Sequence, residues 1–118
     1  MELLTPSARS LVAYGSGGVE LLRAALVRGP EDGFAVDVVR VAPGGVIGRH
    51  PTRWWLLYLV VEGAGWVSGP PGERRPLRAG EAALWAPGEE HASGSADGLV
   101  AVVVQCRTRP VPAGEETP

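Results

Sequence analysis

Two histidines, His50 and His91, are the residues of this 118-residue chain whose type and position could carry chemistry. His50 stands just before the apolar run 54–61, and His91 follows the short apolar run 82–86. An imidazole can bind a transition metal, and it can also accept and return a proton near neutral pH. Either histidine alone would most simply be a structural group hydrogen-bonded to the backbone. Together they are the first candidates for a shared functional site.

The rest of the composition excludes several other chemistries. All 11 basic residues are arginine, so no lysine can form a Schiff base with a carbonyl substrate or with pyridoxal phosphate. A net charge of -2 does not fit a nucleic-acid surface, which needs a basic patch. Cys106 is the only cysteine, which excludes an internal disulfide. Individual arginines could still bind a phosphate or carboxylate ligand.

The 17 glycines and 11 prolines predict an all-β protein, because they divide the chain into pieces of strand length. Turns are expected between these pieces, including 43–45 and 63–65. Several pieces are apolar at both odd and even positions, which indicates a sheet that is covered on both faces. The pieces rich in valine and aromatic residues, which favour strands, are 34–42, 55–61, 65–69, 82–86 and 99–106.

Segment 19–29 is the one ambiguous piece. By periodicity alone it fits a short amphipathic helix about as well as a strand. Glycine-rich turns bracket it and no good N-cap residue precedes it, so we predict a strand.

The segments around the histidines resemble the two sequence motifs of the cupin superfamily, whose members are small jelly-roll β-barrels. The first segment is PGGVIGRHPTRWWLLYLVVEG (43–63), and the second is AGEAALWAPGEEH (79–91), in which Pro87 is shifted by one position. The resemblance covers about residues 36–106. It implies an all-β cupin or jelly-roll β-barrel, also called a double-stranded β-helix, in a single domain. The matching positions are Gly44, His50, Gly63, Gly80, Gly88 and His91.

The metal-ligand positions of the motifs are only half retained. Cupins usually hold a divalent metal with three histidines and one glutamate. In this chain the resemblance places Thr52 at the second histidine position, Leu56 at the glutamate position and Ser95 at the closing asparagine. Two imidazoles leave most of the coordination sphere to water, so a metal should be held weakly. We therefore predict no firm cofactor, and a divalent transition metal held by His50 and His91 is the alternative.

In such a barrel the two histidine-bearing strands would enclose an apolar cavity with a few polar groups, which is the usual composition of a small-ligand site. Glu89, the neighbouring Glu90 and Tyr58 are the residues that could compensate for the missing metal ligands. Trp85 is the tryptophan best placed to stack on a ligand, although its first role is packing. The expected lining residues are His50, Thr52, Leu56, Tyr58, Trp85, Glu89 and His91.

Three classes of function fit these residues. The leading one is a small cupin-fold protein that binds a small molecule in its barrel cavity. The second is an enzyme: either a metal-dependent, dioxygenase-like or isomerase-like cupin with an irregular ligand set, or a metal-free isomerase with the two histidines as acid and base. The third is a regulatory or ligand-sensing module. The expected partners are a small-molecule ligand and a second copy of the chain, with no nucleic acid and no membrane.

The length and hydrophobic content allow one core, so we predict a single barrel over 1–109 with a disordered tail over 110–118. Within it, 34–106 form the barrel core. The N-terminal strands in 1–33 are expected in a homodimer interface, because 11–26 are apolar enough to need covering. The longest apolar run, 54–61, is far shorter than the roughly 20 residues of a membrane-spanning helix, and no secretory signal pattern is present. We therefore expect a cytoplasmic protein.

Overall fold

The computed structural model describes residues 1–111, which form an all-β protein. A single 3-10 turn, Ala13–Gly15, lies between the first two strands, and the described residues contain no α-helix. No segment of 1–111 forms a helix long and apolar enough to cross a membrane. The predicted disorder of the tail lies, from residue 112 onward, outside the described residues. The strands are β1 Ala8–Ser10, β2 Gly17–Val27, β3 Phe34–Pro51, β4 Trp55–Ser68, β5 Arg74–Arg78, β6 Ala82–Trp85, β7 Glu90–Gly94 and β8 Leu99–Cys106.

The barrel closes because two long strands each belong to both of its walls. The first half of β3, 34–41, pairs with β8, and its second half, 46–51, pairs with β7. In the same way β4 pairs with β8 over 55–63 and with β7 over 66–68. All of these pairs are antiparallel, and β1, β2, β5 and β6 extend the two walls at their edges. The all-β barrel prediction and the strand predicted at 19–29 are confirmed.

The predicted turns at 43–45 and 63–65 are wrong, since β3 and β4 continue through them. The glycines do bend the chain: Gly44 and Gly63 have φ of 80° and 78°, in the left-handed region that favours glycine. A Cβ at Gly63 would also collide with the carbonyl oxygen of Gly98. These residues therefore mark the points where a strand passes from one wall to the other, where pairing resumes with a new partner.

The core lies between the two walls and follows the period-2 alternation of the strands. Val60 and Ala101 are fully buried, and Val41 and Leu99 are almost so. Towards the other end of the barrel the inward positions become polar, and this end holds the histidines. The strand that carries His91, β7 (EHASG), was not predicted, because it has almost no apolar side chains to show the alternation.

Candidate functional site

The two histidines meet because β3 and β7 pair with His50 directly opposite His91. Their ring centroids are 4.3 Å apart, and the ring planes are inclined at 55°. A register shift lies in the preceding stretch between Ile47 and His50. The convergence expected from the motif resemblance is thus present in the structure.

The His50 ring is held from two sides. Its Nδ1 lies 2.7 Å from the carbonyl oxygen of Gly48, which can only accept, so Nδ1 donates and the neutral ring presents Nε2 as an acceptor. The Tyr14 ring stacks on a face of the His50 ring, with centroids 3.9 Å apart and planes only 4° from parallel. The 3-10 turn that carries Tyr14 lies so close that a Cβ at position 48 would collide with the Tyr14 carbonyl oxygen. Ser16 Oγ also accepts a hydrogen bond from Gly48 N, which fixes the turn over His50.

His91 is buried and uncharged at neutral pH. It is 4% exposed, and its Nδ1 has no hydrogen-bond partner among the described residues. Burial, with a smaller contribution from the neighbouring His50, lowers the pKa of His91 to about 4, although the backbone of Glu89 and of His50 acts in the opposite direction. The Trp85 ring lies against it, with centroids 4.8 Å apart.

Tyr58 places a second unpartnered polar group beside the histidines. It is 3% exposed, and its hydroxyl has no partner of hydrogen-bond geometry within residues 1–111. Burial raises the pKa of the Tyr58 hydroxyl, and the neighbouring Ser93 hydroxyl acts in the opposite direction. Trp85 packs edge-on against the Tyr58 ring at 6.2 Å between centroids.

These side chains line a cavity of about 350 Å³ at the polar end of the barrel. Its volume is near the lower end of the range for small-molecule sites. Four of the seven predicted lining residues are present: His50, Leu56, Tyr58 and His91. Sequence reasoning missed further lining residues with functional groups, which are Arg9, Tyr14, Arg23, Asp37, Ser93 and Gln105.

Three of the predicted residues lie elsewhere. Trp85 supports Tyr58 and His91 through ring contacts but does not line the cavity. Thr52 and Glu89 lie past the barrel end in the loops, where Thr52 N donates to the Glu89 carbonyl oxygen. Thr52 Oγ1 donates to the Trp54 carbonyl oxygen, and Glu89 Oε1 accepts from Ala86 N, so both side chains are engaged locally. Neither side chain lines the cavity, and their part in ligand binding stays a prediction from the sequence.

An ion pair at the cavity wall is the clearest residue set that was missed. Arg23 on β2 stands opposite Asp37 on β3, with 2.7 Å between Nε and Oδ1. Asp37 is 4% exposed, although it belongs to the otherwise apolar piece FAVDVVRVA. A charged residue at an inward position of such a strand is a signal that the sequence did contain. Its partner could be found only once the register of β2 on β3 was known.

The donor set does not fit the metal that cupins usually carry. Within 1–111 no group of three or more His, Cys, Asp or Glu side chains lies close enough to hold an ion. Leucine occupies the glutamate position, and the Thr52 hydroxyl is already used. Glu90, which could have compensated, binds Arg49 at 2.9 Å. Two imidazoles alone fall short of a firm site for iron, manganese or nickel.

Comparison with solved structures shows the cupin fold. The chain is similar to a cupin-like protein from Thermotoga maritima, with a TM-score of 0.77 at 17% identity over 92% of this chain and 83% of that one. It is also similar to the polyketide cyclase RemF from Streptomyces resistomycificus, with a TM-score of 0.73 at 22% identity over 94% and 82%. A predicted oxalate decarboxylase from Thermotoga maritima gives 0.71 at 22% identity over 88% and 93%. No family model and no curated protein matches the sequence.

The resemblance seen in the two sequence motifs is therefore confirmed for the fold: this is a cupin-type β-barrel. At identities of 17–22% the similarity shows the fold alone.

Proposed function

We propose that this protein binds a small molecule in the cavity between the two histidine-bearing strands. The observation that carries the proposal is a pair of buried polar groups, the Tyr58 hydroxyl and His91 Nδ1, without protein partners in the described part of the chain. Leaving such a group unsatisfied costs about 1–3 kcal/mol, which a ligand could recover by hydrogen bonding. The similar structures named as a cyclase and as a predicted decarboxylase support small-molecule chemistry in barrels of this kind.

A fragment titration followed by NMR tests this proposal. We expect fragments of about a dozen non-hydrogen atoms to shift the imidazole resonances of His50 and His91 and the indole resonance of Trp85. Leu56→Phe fills the cavity and should abolish these shifts. Val27→Phe, at a 45% exposed site at the end of β2 that does not line the cavity, should leave them unchanged. Binding that survives Leu56→Phe would contradict the proposal.

The protonation of the histidine pair supports a second candidate, a metal-free isomerase. The Gly48 carbonyl fixes the donor on His50 Nδ1, so its Nε2 can accept a proton. His91 is neutral at pH 7 and is therefore also a base. The imidazole that removes a proton from a carbon acid becomes an imidazolium, which can return that proton to a different carbon of the same molecule, while the N–H of the other imidazole donates a hydrogen bond to the enolate oxygen. A ligand-sensing role without chemistry stays a prediction from the sequence.

Proton exchange in heavy water separates this candidate from simple binding. The probe is pyruvate, whose methyl protons exchange with solvent through the enol. We expect the wild-type protein to accelerate this exchange, and His50→Ala and His91→Ala each to abolish the acceleration. Exchange at the buffer rate with all three proteins would leave binding as the function and refute the acid–base role.

We also propose that two copies of the chain form a homodimer through the outer side of the wall built from β2, β3, β8 and β4. There the register aligns two rows of half-buried apolar side chains, which we call the outer apolar face. By strand spacing and rise, four strands and two rows measure roughly 20 by 13 Å. An area of this size is the apolar centre of an interface, which the surrounding polar residues would complete. The face consists of Leu22, Val36, Val38, Leu57, Leu59, Val102 and Val104.

Charges at one end of this face favour a second copy as the occupant. Arg40 on β3 lies beside Glu20 on β2 in the same row, and β4 carries Glu62 across β8. A two-fold axis can set the acids of one copy against the arginine of the other. The face includes Leu22 of the N-terminal segment 11–26 that the sequence favoured for the interface, but most of it lies on β3, β4 and β8.

Light scattering of substituted proteins tests the dimer and its location. We expect the wild type to have twice the mass of one chain and Val102→Glu to be monomeric. Val12→Glu introduces the same charge at a 79% exposed site near the N-terminal strands and should remain dimeric. The reverse result would place the interface in the N-terminal strands, and a monomeric wild type would refute the dimer.

We further propose a cytoplasmic location. The free Cys106 thiol in the structure supports this, since it needs no oxidising compartment. Fractionation of cells with an antibody to the protein would test the location.

A further inference from the structure

The cavity holds one more positive charge than its own walls neutralise. Apart from the histidines, three charged side chains line it: Arg9, Arg23 and Asp37. Asp37 is paired with Arg23 at 2.7 Å, whereas Arg9 has no ion pair with any residue of 1–111. Two cations and one anion therefore line the same space, with Arg9 exposed to solvent and the Arg23 side chain 38% exposed.

Strand geometry places the two arginines so that they can act together. Arg9 on β1 lies opposite Leu21 on β2, and Arg23 follows two residues later on the same side of β2. Such diagonal neighbours lie about 7–8 Å apart, within reach of long side chains. Asp37 occupies the Nε edge of Arg23, and the Nη groups of Arg23 form no hydrogen bond to the described part of the chain. Both guanidinium groups thus have donors left for a third group between them.

We propose that the ligand is a small organic carboxylate whose carboxylate group binds between Arg9 and Arg23; this rests on the ligand-binding function proposed above. Guanidinium donors match the two oxygens of a carboxylate in geometry and charge. A spare charge of one favours a monoanion over a doubly charged phosphate. The uncharged body of the ligand then lies towards Tyr58 and the histidine pair. A volume of about 350 Å³ is the space of about a dozen water molecules, which limits the ligand to a small acid.

Matched acids and amides test the charge of the ligand separately from binding itself. The probes are benzoate and benzamide, 4-hydroxybenzoate and 4-hydroxybenzamide, and cinnamate and cinnamamide, titrated by NMR at low salt. Each amide keeps the shape of its acid but removes the charge. We expect the acids to bind about tenfold more tightly and to weaken as sodium chloride is added.

Arginine substitutions locate the charge. Arg9→Gln should reduce the affinity for the acids about fivefold to tenfold and leave the affinity for the amides unchanged. Arg28→Gln is the control of equal charge, because Arg28 is exposed, follows the end of β2 and does not line the cavity. It should change neither affinity by more than about twofold, as expected for a distant screened charge.

The outcomes separate the two proposals. Acids and amides that bind equally, or equal effects of Arg9→Gln and Arg28→Gln, would overturn the carboxylate inference and leave ligand binding intact. If none of the six probes shifts the cavity resonances, ligand binding and the carboxylate inference fail together.

Discussion

The two ends of this barrel are buried to the same degree but are built from different residues. At the apolar end Val41, Val60, Leu99 and Ala101 are 0–5% exposed and wholly apolar. At the polar end Asp37, Tyr58, His91 and Ser93 are 2–4% exposed, and two of them have polar atoms without a protein partner in the part of the chain described.

The difference shows which end of the barrel is optimised for stability. Apolar side chains at the polar end would give more stability than unpartnered hydroxyl and imidazole groups, because burying a polar group without a hydrogen bond is costly. Residues that break this rule are expected where a protein binds or reacts with something. We therefore assign the stability of the barrel to the apolar end and propose the polar end as the ligand site.

The largest effect on the free energy of unfolding is expected at the apolar end. Leu99→Ala removes a buried side chain and leaves a cavity, so the free energy of unfolding should fall by about 2–5 kcal/mol. Urea denaturation measures this change. A loss below about 1 kcal/mol would show that the apolar end is no better packed than the polar end, and would contradict the difference drawn between the two ends.

At the polar end the largest effect should come from pH. Because the folded-state pKa of His91 is about 4, below the usual 6.5, the unfolded chain binds the extra proton between these values. The free energy of unfolding should therefore fall as pH drops from 6.5 to 4, by up to about 3 kcal/mol from this group. His91→Phe should remove that part of the fall. Parallel pH curves for the wild type and His91→Phe, measured by urea denaturation, would contradict a buried neutral imidazole.

The ion pair at the polar end should matter less. Asp37→Asn leaves the partly exposed Arg23 without its partner, and we expect a loss of about 1–2 kcal/mol in the free energy of unfolding. Glu90→Gln breaks the exposed pair with Arg49 and should cost less than about 0.5 kcal/mol. Equal losses in thermal or urea unfolding would show that burial does not distinguish the two pairs.

The smallest effect on stability is expected for Tyr58→Phe. The hydroxyl has no protein partner in the described residues, so its removal should change the free energy of unfolding by no more than about 0.5 kcal/mol. Affinity for a bound fragment should nevertheless fall about fivefold, since the ligand loses a hydrogen bond. A clear loss of stability in urea, without loss of affinity, would assign the hydroxyl to the fold rather than to the site.

The fold could be predicted from sequence because its signals are local. Short valine-rich pieces between glycines indicate strands, and two spaced motifs indicate the order in which they pair. The errors have the same origin: a glycine such as Gly44 or Gly63 looks like a turn, and only the pairing on both sides shows that the strand continues. The polar strand β7 had no alternation to detect.

The site was only partly predictable, because most of it depends on distant pairings. His50 and His91 were found from the motifs, and Leu56 and Tyr58 follow from strand parity. Arg9, Arg23 and Asp37 come together only through the registers of β1 on β2 and β2 on β3. Tyr14 reaches His50 through a short turn whose position no local pattern specifies.

A crystal structure of the protein soaked with 4-hydroxybenzoate tests the central claim most directly. We predict density for the probe in the cavity, within hydrogen-bond distance of the Tyr58 hydroxyl and beside the rings of His50 and His91. A cavity closed by side chains, with the two rings apart or turned into solvent and the probe absent, would contradict it.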